Sequence, residues 1–237
     1  MHLLIIGANH MEAEFRQKFG SEHEYTFLSL LFDDIQPDKD HKLVYDEYMA
    51  AFELALRTAT ALFFYRSDGY FGFEKTAKHV VFFETSSQSV ADLGKEAPLT
   101  FGFCGLPTLL NRPLLEVSLN DPENAPQLAE ICAALGTDYR VVQDRVGLVT
   151  PRVVCMLINE ACYTLQEGTA SIQDIDKSMK LGTSYPRGPF EWANLIGVGR
   201  VYDVLESLWQ DTHEERYKVC PLLKTMHLRG ESFRLAE

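Results

Sequence analysis

Residues 144–191 hold the segments that decide the fold: DRVGLVTPRVV (144–154), INEA (158–161), EGTASIQDID (167–176), KLG (180–182) and YPRGPFE (185–191). Apolar residues recur there at helical spacing over four turns, namely at Val153, Val154, Leu157, Ile158, Ala161 and Leu165. Gly168 closes this run, as glycine typically does just after a helix. Ser171 then offers an N-cap with Asp174 three residues on, so a second helix is predicted over residues 172–180.

The rest of this half is also predicted to be helical. A turn is expected at residues 185–189, and a third helix from residue 190 to residue 209 that runs straight past Gly197. Asp174 and Asp176 are expected in the N-terminal turn of the second helix, where the helix dipole favours acids. Because no strand signal follows, this half is predicted to be an all-α domain.

The first half of the chain has another pattern, in which short apolar runs alternate with helix-like stretches. The predicted strands are residues 2–6, 25–31, 61–65 and 80–83, and the predicted helices are residues 12–19, 42–57 and 73–78. This alternation argues for a parallel sheet with helical crossovers. Further edge strands are predicted at residues 101–103, 114–119 and 139–142, with a helix at residues 126–135. We therefore expect an α/β domain over residues 1–143 and a helical domain over residues 144–237.

Charge and cysteine content limit the classes of partner. The net charge is -12 and Lys and Arg are scattered, which argues against nucleic acid and anionic membranes as partners. Neither a signal peptide nor a long apolar run is apparent, so a cytoplasmic globular protein is expected. The five cysteines are odd in number and form no C-x-x-C pair, which favours free thiols over disulfides or a metal site. Cys155 and Cys162 are expected in a helical core.

The quoted segments, in this order and spacing, resemble the helical domain of the 3-hydroxyacyl-CoA dehydrogenase family. Two upstream segments, VVFFETSSQSV (80–90) and LLEVS (114–118), are similar to parts of the family's α/β domain. The resemblance implies an α/β Rossmann-like N-terminal domain followed by an all-α C-terminal domain of a type shared with 6-phosphogluconate dehydrogenases. It also implies a homodimer formed through the helical domain and an acyl-CoA-like small ligand.

The cofactor motif that the resemblance implies is only partly present. A nucleotide-binding turn needs G-x-G-x-x-G, with glycines for the tight turn, the approach to the pyrophosphate and the helix packing. The corresponding residues are Gly7, Asn9 and Glu12. Asn9 places a side chain where the phosphates approach, and Glu12 places a negative charge in the helix turn that receives them. The ribose-binding acid is also missing, since its position falls near Leu30. We therefore expect no cofactor, and NAD if any.

The resemblance assigns catalysis to a histidine base, a glutamate twelve residues later, and serine and asparagine side chains that hold the substrate oxygen. Glu116 matches the glutamate and Ser86 the serine, whereas Cys104 stands at the histidine position. Pro107 and Pro151 replace the asparagines. A positioned general base is worth about a hundred- to ten-thousand-fold in rate, and a thiol is a poor substitute. Hydride transfer is therefore expected to be impaired.

Cys104 is also considered as a nucleophile, which would need a histidine nearby. His79 and His10 are the candidates for that neighbour. A lone cysteine is more often a small buried residue, and this is the interpretation we favour.

Three hypotheses about function stay open. The first is a diverged family member that binds a small ligand or acts as a dimeric scaffold. The second is an active NAD-dependent oxidoreductase on a 3-hydroxyacyl-CoA or related hydroxy acid, with a rearranged site around Ser86 and Glu116. The third is a purely structural homodimer, which is favoured if side chains such as Phe101, Phe103 and Tyr65 fill the α/β cleft.

Overall fold

A computed structural model of the protein describes residues 1–29, 41–65, 78–93, 99–119 and 121–235. The chain forms two compact units, one of Met1–Thr85, Ser89–Gly105 and Leu110–Asp144, the other of Ser86–Gln88, Leu106–Leu109 and Arg145–Glu237. The main division therefore falls between Asp144 and Arg145. The helix predicted at residues 73–78 and the position of Leu30 lie outside the described residues, Lys78 excepted. Within the described ranges, no helix has the length and apolarity needed to cross a membrane.

The first unit is built on a seven-stranded sheet with the strand order β2-β1-β3-β4-β5-β6-β7. Its strands are β1 (His2–Ile6), β2 (Glu24–Leu28), β3 (Ala61–Phe64), β4 (Val80–Glu84), β5 (Thr100–Phe103), β6 (Leu114–Leu119) and β7 (Asp138–Val142). Its described helices are α1 (Glu12–Phe19), α2 (His41–Leu56) and α3 (Ala125–Ala134). Every neighbouring pair is parallel except β5 and β6, which are antiparallel. Because β2 and β3 lie on opposite sides of β1, the topological switch point lies between β1 and β3.

The sheet is buried on both faces, which explains the continuous apolar runs of its strands. Side chains alternate between the faces, so Leu3 and Leu4 of β1 belong to different core clusters. One face packs against α1 and α3, with the fully buried Phe15 at its centre. The other face packs against α2 through Phe52.

The prediction that residues 101–103 and 114–119 are edge strands is wrong. Both β5 and β6 have a hydrogen-bonded strand on each side, and β5 is buried along its whole length. Only β7, of these three, lies at an edge. Its residues are all exposed or half-buried, in contrast to the buried residues of β5.

The second unit consists mainly of helices, as predicted. They are α4 (Thr150–Gln166), α5 (Ile172–Gly182), α6 (Pro189–Ile196), α7 (Val198–Thr212) and α8 (Pro221–Arg229). Gly168, just beyond α4, has a φ of 73°. The side chain of Ser171 accepts a hydrogen bond from Asp174 N at 3.2 Å, which confirms the predicted N-cap of α5.

The predicted continuous third helix is two helices. Gly197 separates α6 from α7 and has a φ of 101° and a ψ of 123°, a backbone conformation that side-chain-bearing residues rarely adopt. The prediction is wrong because helical spacing of apolar residues continues on both sides of this glycine and conceals the break.

Two amide side chains, the buried Asn159 and the half-buried Asn194, fasten the C-terminal segments of this unit. Asn159 of α4 donates to Lys218 O at 2.9 Å and accepts from Cys220 N at 2.8 Å. Asn194 of α6 likewise donates to Phe233 O and accepts from Phe233 N, each at 2.8 Å. Each amide therefore uses both its donor and its acceptor to hold the backbone of these segments.

Candidate functional site

The turn after β1 carries the residues at the positions of the nucleotide-binding glycines. Gly7 has a φ of 78°, and its N donates to Leu28 O of β2 at 2.9 Å. Asn9 begins a short 3₁₀ helix, and its side-chain amide donates to Ser29 Oγ at 2.9 Å. The Asn9 side chain therefore reaches across the turn towards the end of β2, over backbone that a bound pyrophosphate would approach.

Glu12 is the first residue of α1, at the helix end where a phosphate would bind. Its carboxylate pairs with Arg16, whose Nη2 lies 2.8 Å from Glu12 Oε1, and both side chains are about half exposed. Glu12 therefore already places a negative charge at the positive end of the helix dipole. This acid would repel an incoming phosphate.

Tyr65 lies at the carboxyl end of β3, beside the switch point. Its N donates to Ile6 O at 3.1 Å, so it continues the ladder next to the end of β1. Its ring centroid is 6.1 Å from that of Phe15, 5.7 Å from Phe103 and 6.4 Å from His10. Ligands of open α/β sheets bind outside the carboxyl ends of the strands at this point, and Tyr65 directly follows β3 at that end.

Cys104 and Glu116 are neighbours, as the family resemblance implies. Cys104 directly follows β5, and Glu116 lies on the antiparallel neighbour β6. Cys104 N donates to Glu116 O at 3.1 Å. Both residues are buried, with exposed fractions of 2% and 6%. Arg112 Nη2 is 3.9 Å from Glu116 Oε2, which gives the buried carboxylate a partly exposed cationic neighbour.

A cluster of hydroxyl groups and a carboxylate surrounds Gly102 of β5. A Cβ atom at Gly102 would overlap Ser118 Oγ and Thr85 Oγ1 and would lie 2.9 Å from Val90 Cγ2. Ser118 Oγ donates to Asp144 Oδ1 at 2.9 Å. Ser118 and Glu116 are two residues apart on β6 and therefore share a face of the sheet. The sequence signal for this cluster is the glycine within an otherwise bulky apolar strand.

Asp144 anchors this cluster to the loop that follows β4. Its Oδ1 also accepts from Val90 N at 2.8 Å, and its Oδ2 accepts from Ala91 N at 2.9 Å. With the Ser118 hydroxyl, the carboxylate accepts three hydrogen bonds and so satisfies both of its oxygens. Two of the three partners of Asp144 lie more than fifty residues away in the sequence.

The five thiols are free and buried, which includes Cys155 and Cys162, the two predicted in a helical core. Burial raises the pKa of Cys132 to about 12 and also raises the pKa values of Cys162 and Cys220. High thiol pKa values leave little nucleophilic thiolate at neutral pH. Among residues 1–29, 41–65, 78–93, 99–119 and 121–235, no group of three His, Cys, Asp or Glu side chains is placed to hold a metal ion.

The candidate histidine His79 is wrongly placed to assist Cys104. It precedes β4 and its Nε2 is 3.1 Å from Leu56 O, whereas Cys104 follows the parallel strand β5. His79 and Cys104 therefore lie at opposite ends of these parallel strands, and a five-residue strand spans roughly 16 Å.

Comparison with known proteins assigns the ancestry. The family model for the C-terminal domain of 3-hydroxyacyl-CoA dehydrogenase matches residues 147–235. The chain is also 46% identical over 83 residues to a 3-hydroxyadipyl-CoA dehydrogenase of Escherichia coli. Residues 147–235 therefore form a domain of the type found at the C-terminus of 3-hydroxyacyl-CoA dehydrogenases.

A second relative extends the match into the first unit. A 3-hydroxybutyryl-CoA dehydrogenase of Bradyrhizobium diazoefficiens is 31% identical over 150 residues, which cover 61% of the chain and 51% of that relative. The E. coli match covers 35% of the chain and 18% of that relative. The chain thus matches about half the length, or less, of these curated relatives.

A solved structure of the family confirms the predicted fold. The (S)-3-hydroxybutyryl-CoA dehydrogenase of Ralstonia eutropha superposes with a TM-score of 0.66, covering 97% of the chain and 94% of that structure at 19% identity. At this identity the likeness concerns the fold alone. The fold is a Rossmann-like sheet domain followed by a helical domain.

The remaining residues that match the family's site are spread over both units. Ser86 is fully buried and belongs to the helical unit, whereas Cys104 and Glu116 belong to the sheet unit. Pro107 is buried in a turn, and Pro151 occupies the first turn of α4, where its missing N–H is not needed. Neither proline can supply the side-chain amide of the family's asparagines.

Arg152, which follows Pro151, has a structural role in the chain. Its guanidinium donates to Val146 O, Leu148 O and Tyr217 Oη. It therefore fixes the loop that leads into α4, where Leu148 has a φ of 43°. A left-handed conformation at a leucine is costly, and these bonds help to stabilise it.

Proposed function

We propose that the protein is a diverged member of the family that is impaired in NAD-dependent hydride transfer and acts as a dimeric scaffold or binds an acyl-CoA-like ligand. The observation that carries this proposal is the composition of the switch point. Asn9, Glu12 and Tyr65 bring an amide, a carboxylate and an aromatic ring to the space that a dinucleotide would need. Each of the three opposes binding by a different physical effect.

The second support is the missing base. Cys104 stands beside Glu116, where the family resemblance places a histidine beside a glutamate. A buried thiol next to a buried carboxylate cannot take a proton from a substrate hydroxyl as an imidazole does. Phe101 and Phe103 belong to the core between the sheet and the helices α1 and α3, so of these three aromatic side chains we assign only Tyr65 to the switch point.

Addition of NADH is expected to leave the thermal unfolding temperature unchanged. A protein with a dissociation constant of about 10 μM would gain about 2.7 kcal/mol at a hundredfold excess, roughly 1 mM, and would show a clear shift. Acetoacetyl-CoA, titrated in parallel, tests the acyl-CoA site separately. A saturable shift with NADH, together with NADH oxidation when acetoacetyl-CoA is added, would contradict the proposal.

The same result would support the alternative, an active NAD-dependent oxidoreductase on a 3-hydroxyacyl-CoA or related hydroxy acid. One observation favours that alternative. Glu116 is retained, buried and placed next to the position of the lost base. A rearranged site would have to recruit its proton acceptor from residues other than the histidine.

We further propose that the helical unit forms the homodimer. Several large apolar side chains of this unit are exposed, among them Val153 of α4, Leu181 of α5 and Leu228 of α8, with exposed fractions of 57%, 74% and 72%. Exposed apolar area of this kind marks candidate interaction surfaces.

Light scattering coupled to size exclusion is expected to give a dimer at micromolar concentration. At least one of the substitutions Val153→Glu, Leu181→Glu and Leu228→Glu is expected to weaken it by tenfold or more, since a charge would be buried in the interface. Leu54→Glu is the matched control, because Leu54 is 66% exposed on α2 of the other unit. A strict monomer, or a dimer broken only by Leu54→Glu, would rule out this assembly.

A further inference from the structure

Tyr65, Glu84 and Gly105 meet at the carboxyl ends of β3, β4 and β5. Glu84 is buried, with 8% of its surface exposed, and its Oε1 accepts from Gly105 N at 3.3 Å. A Cβ atom at Gly105 would lie 2.8 Å from each of Tyr65 Oη, Glu84 Cγ and Phe103 Cε2. Real Cβ atoms do not come so close to other heavy atoms. The absence of a side chain at position 105 is therefore what allows Tyr65 and Glu84 to pack there.

This packing differs from a site that has only lost its binding residues. Loss of binding glycines alone would leave open space at the switch point. Here the Tyr65 ring contacts Phe15, Phe103 and His10, and its hydroxyl reaches Gly105. Edge-to-face and tilted contacts among aromatic rings hold such a side chain in one orientation.

We propose that Tyr65 is a specificity-determining residue that closes the nucleotide crevice. Its ring occupies the space that the nicotinamide dinucleotide would need, and this exclusion acts in addition to the replaced glycines. The inference rests on the proposed function, because it explains why a family member with this fold would not use NAD. Ligands of the chain are then molecules that do not enter at the switch point.

The test restores the glycines with and without Tyr65. Four proteins are compared for NADH binding by fluorescence titration: the unaltered chain, the Asn9→Gly/Glu12→Gly variant, that variant with Tyr65→Ala, and that variant with Tyr65→Phe. The variant that combines the two glycines with Tyr65→Ala is expected to bind NADH at least about tenfold more tightly than each of the other three proteins. Tyr65→Phe is the matched control, since it keeps the ring and removes only the hydroxyl.

The possible results separate the two proposals. NADH binding by the unaltered chain would contradict the proposed function and this inference together. Equal binding by the glycine-restored variant with Tyr65 in place would overturn this inference alone. Failure of the folded Tyr65→Ala combination to bind would also overturn it.

A second variant and a stability measurement keep the proposal testable if Tyr65→Ala does not fold. Tyr65→Leu, which retains apolar contact with Phe15 and Phe103, then takes the place of alanine in the binding comparison. In addition, Gly105→Ala is expected to lower the unfolding midpoint less when Tyr65 is already shortened, because one of its three close contacts is gone. Additive effects of the two substitutions would show that Tyr65 does not pack over Gly105.

Discussion

Gly188→Ala is expected to destabilise the helical unit by about 3 kcal/mol, because the new methyl group would occupy space held by Asp176. A Cβ atom at position 188 would overlap Asp176 Cβ and Cγ. The aspartate cannot easily move, since its Oδ1 accepts from Phe190 N at 2.8 Å and its Oδ2 from Glu191 N at 3.0 Å. Urea unfolding followed by far-ultraviolet circular dichroism measures the loss.

Gly182→Ala supplies the matched control for this effect. Gly182 is the last residue of α5, and no atom lies within 4 Å of a Cβ built there. Its substitution is expected to change the free energy of unfolding by no more than about 0.5 kcal/mol. If Gly188→Ala proved equally mild, the close packing of Gly188 against Asp176 would be refuted.

Asp176 shows where a local sequence pattern was assigned to the wrong helix. The sequence pattern predicts that Asp176 lies in the N-terminal turn of its own helix, α5. In the structure its carboxylate instead caps the first turn of α6. Burial raises the pKa of Asp176, and the hydrogen bonds that its carboxylate accepts from the two backbone N–H groups partly offset this effect. The capping partner is fourteen residues away, so no spacing rule for one helix could find it.

The elements themselves were largely predictable because local physics decides them. The strand at residues 2–6 and the helix at residues 12–19 match β1 and α1, since apolar runs and charged helix formers mark them without tertiary help. Strand order was less accessible. The antiparallel placement of β6 inside the sheet depends on long-range pairing with β5, which two short apolar runs do not encode.

The candidate site was predictable only where it depends on neighbouring strands. The family resemblance places the histidine position twelve residues before Glu116, at Cys104, and the direct pairing of β5 and β6 makes these two residues neighbours. Tyr65, Glu84 and Gly105 come from three separate strand ends and have no common motif. The predicted domain bounds place Ser86 in the α/β domain, whereas its contacts group it with the helical unit.

Gly102→Ala is expected to have a still larger effect, about 4 kcal/mol, and to act on the sheet unit. Its methyl group would overlap Ser118 Oγ and Thr85 Oγ1. Neither group can withdraw freely. Ser118 donates to Asp144 at 2.9 Å, and Thr85 is fully buried with its N bonded to Phe103 O at 3.1 Å.

Hydrogen exchange read by mass spectrometry locates this effect within the chain. Peptides covering residues 99–119 are expected to exchange faster in Gly102→Ala, since the Cys104 to Glu116 backbone bond lies in the same ladder. Peptides of α4 are expected to stay protected, because Gly102 and α4 belong to different units.

A second substitution tests whether the steric conflict with Ser118 causes the loss. In a Ser118→Ala background the Oγ atom is gone, so Gly102→Ala is expected to cost at least about 1 kcal/mol less than in the unaltered chain. Ser118→Ala alone is the control for the lost bond to Asp144. Strict additivity would mean that the two residues do not pack together, and the polar face that Gly102 shares with Ser118 would then need another explanation.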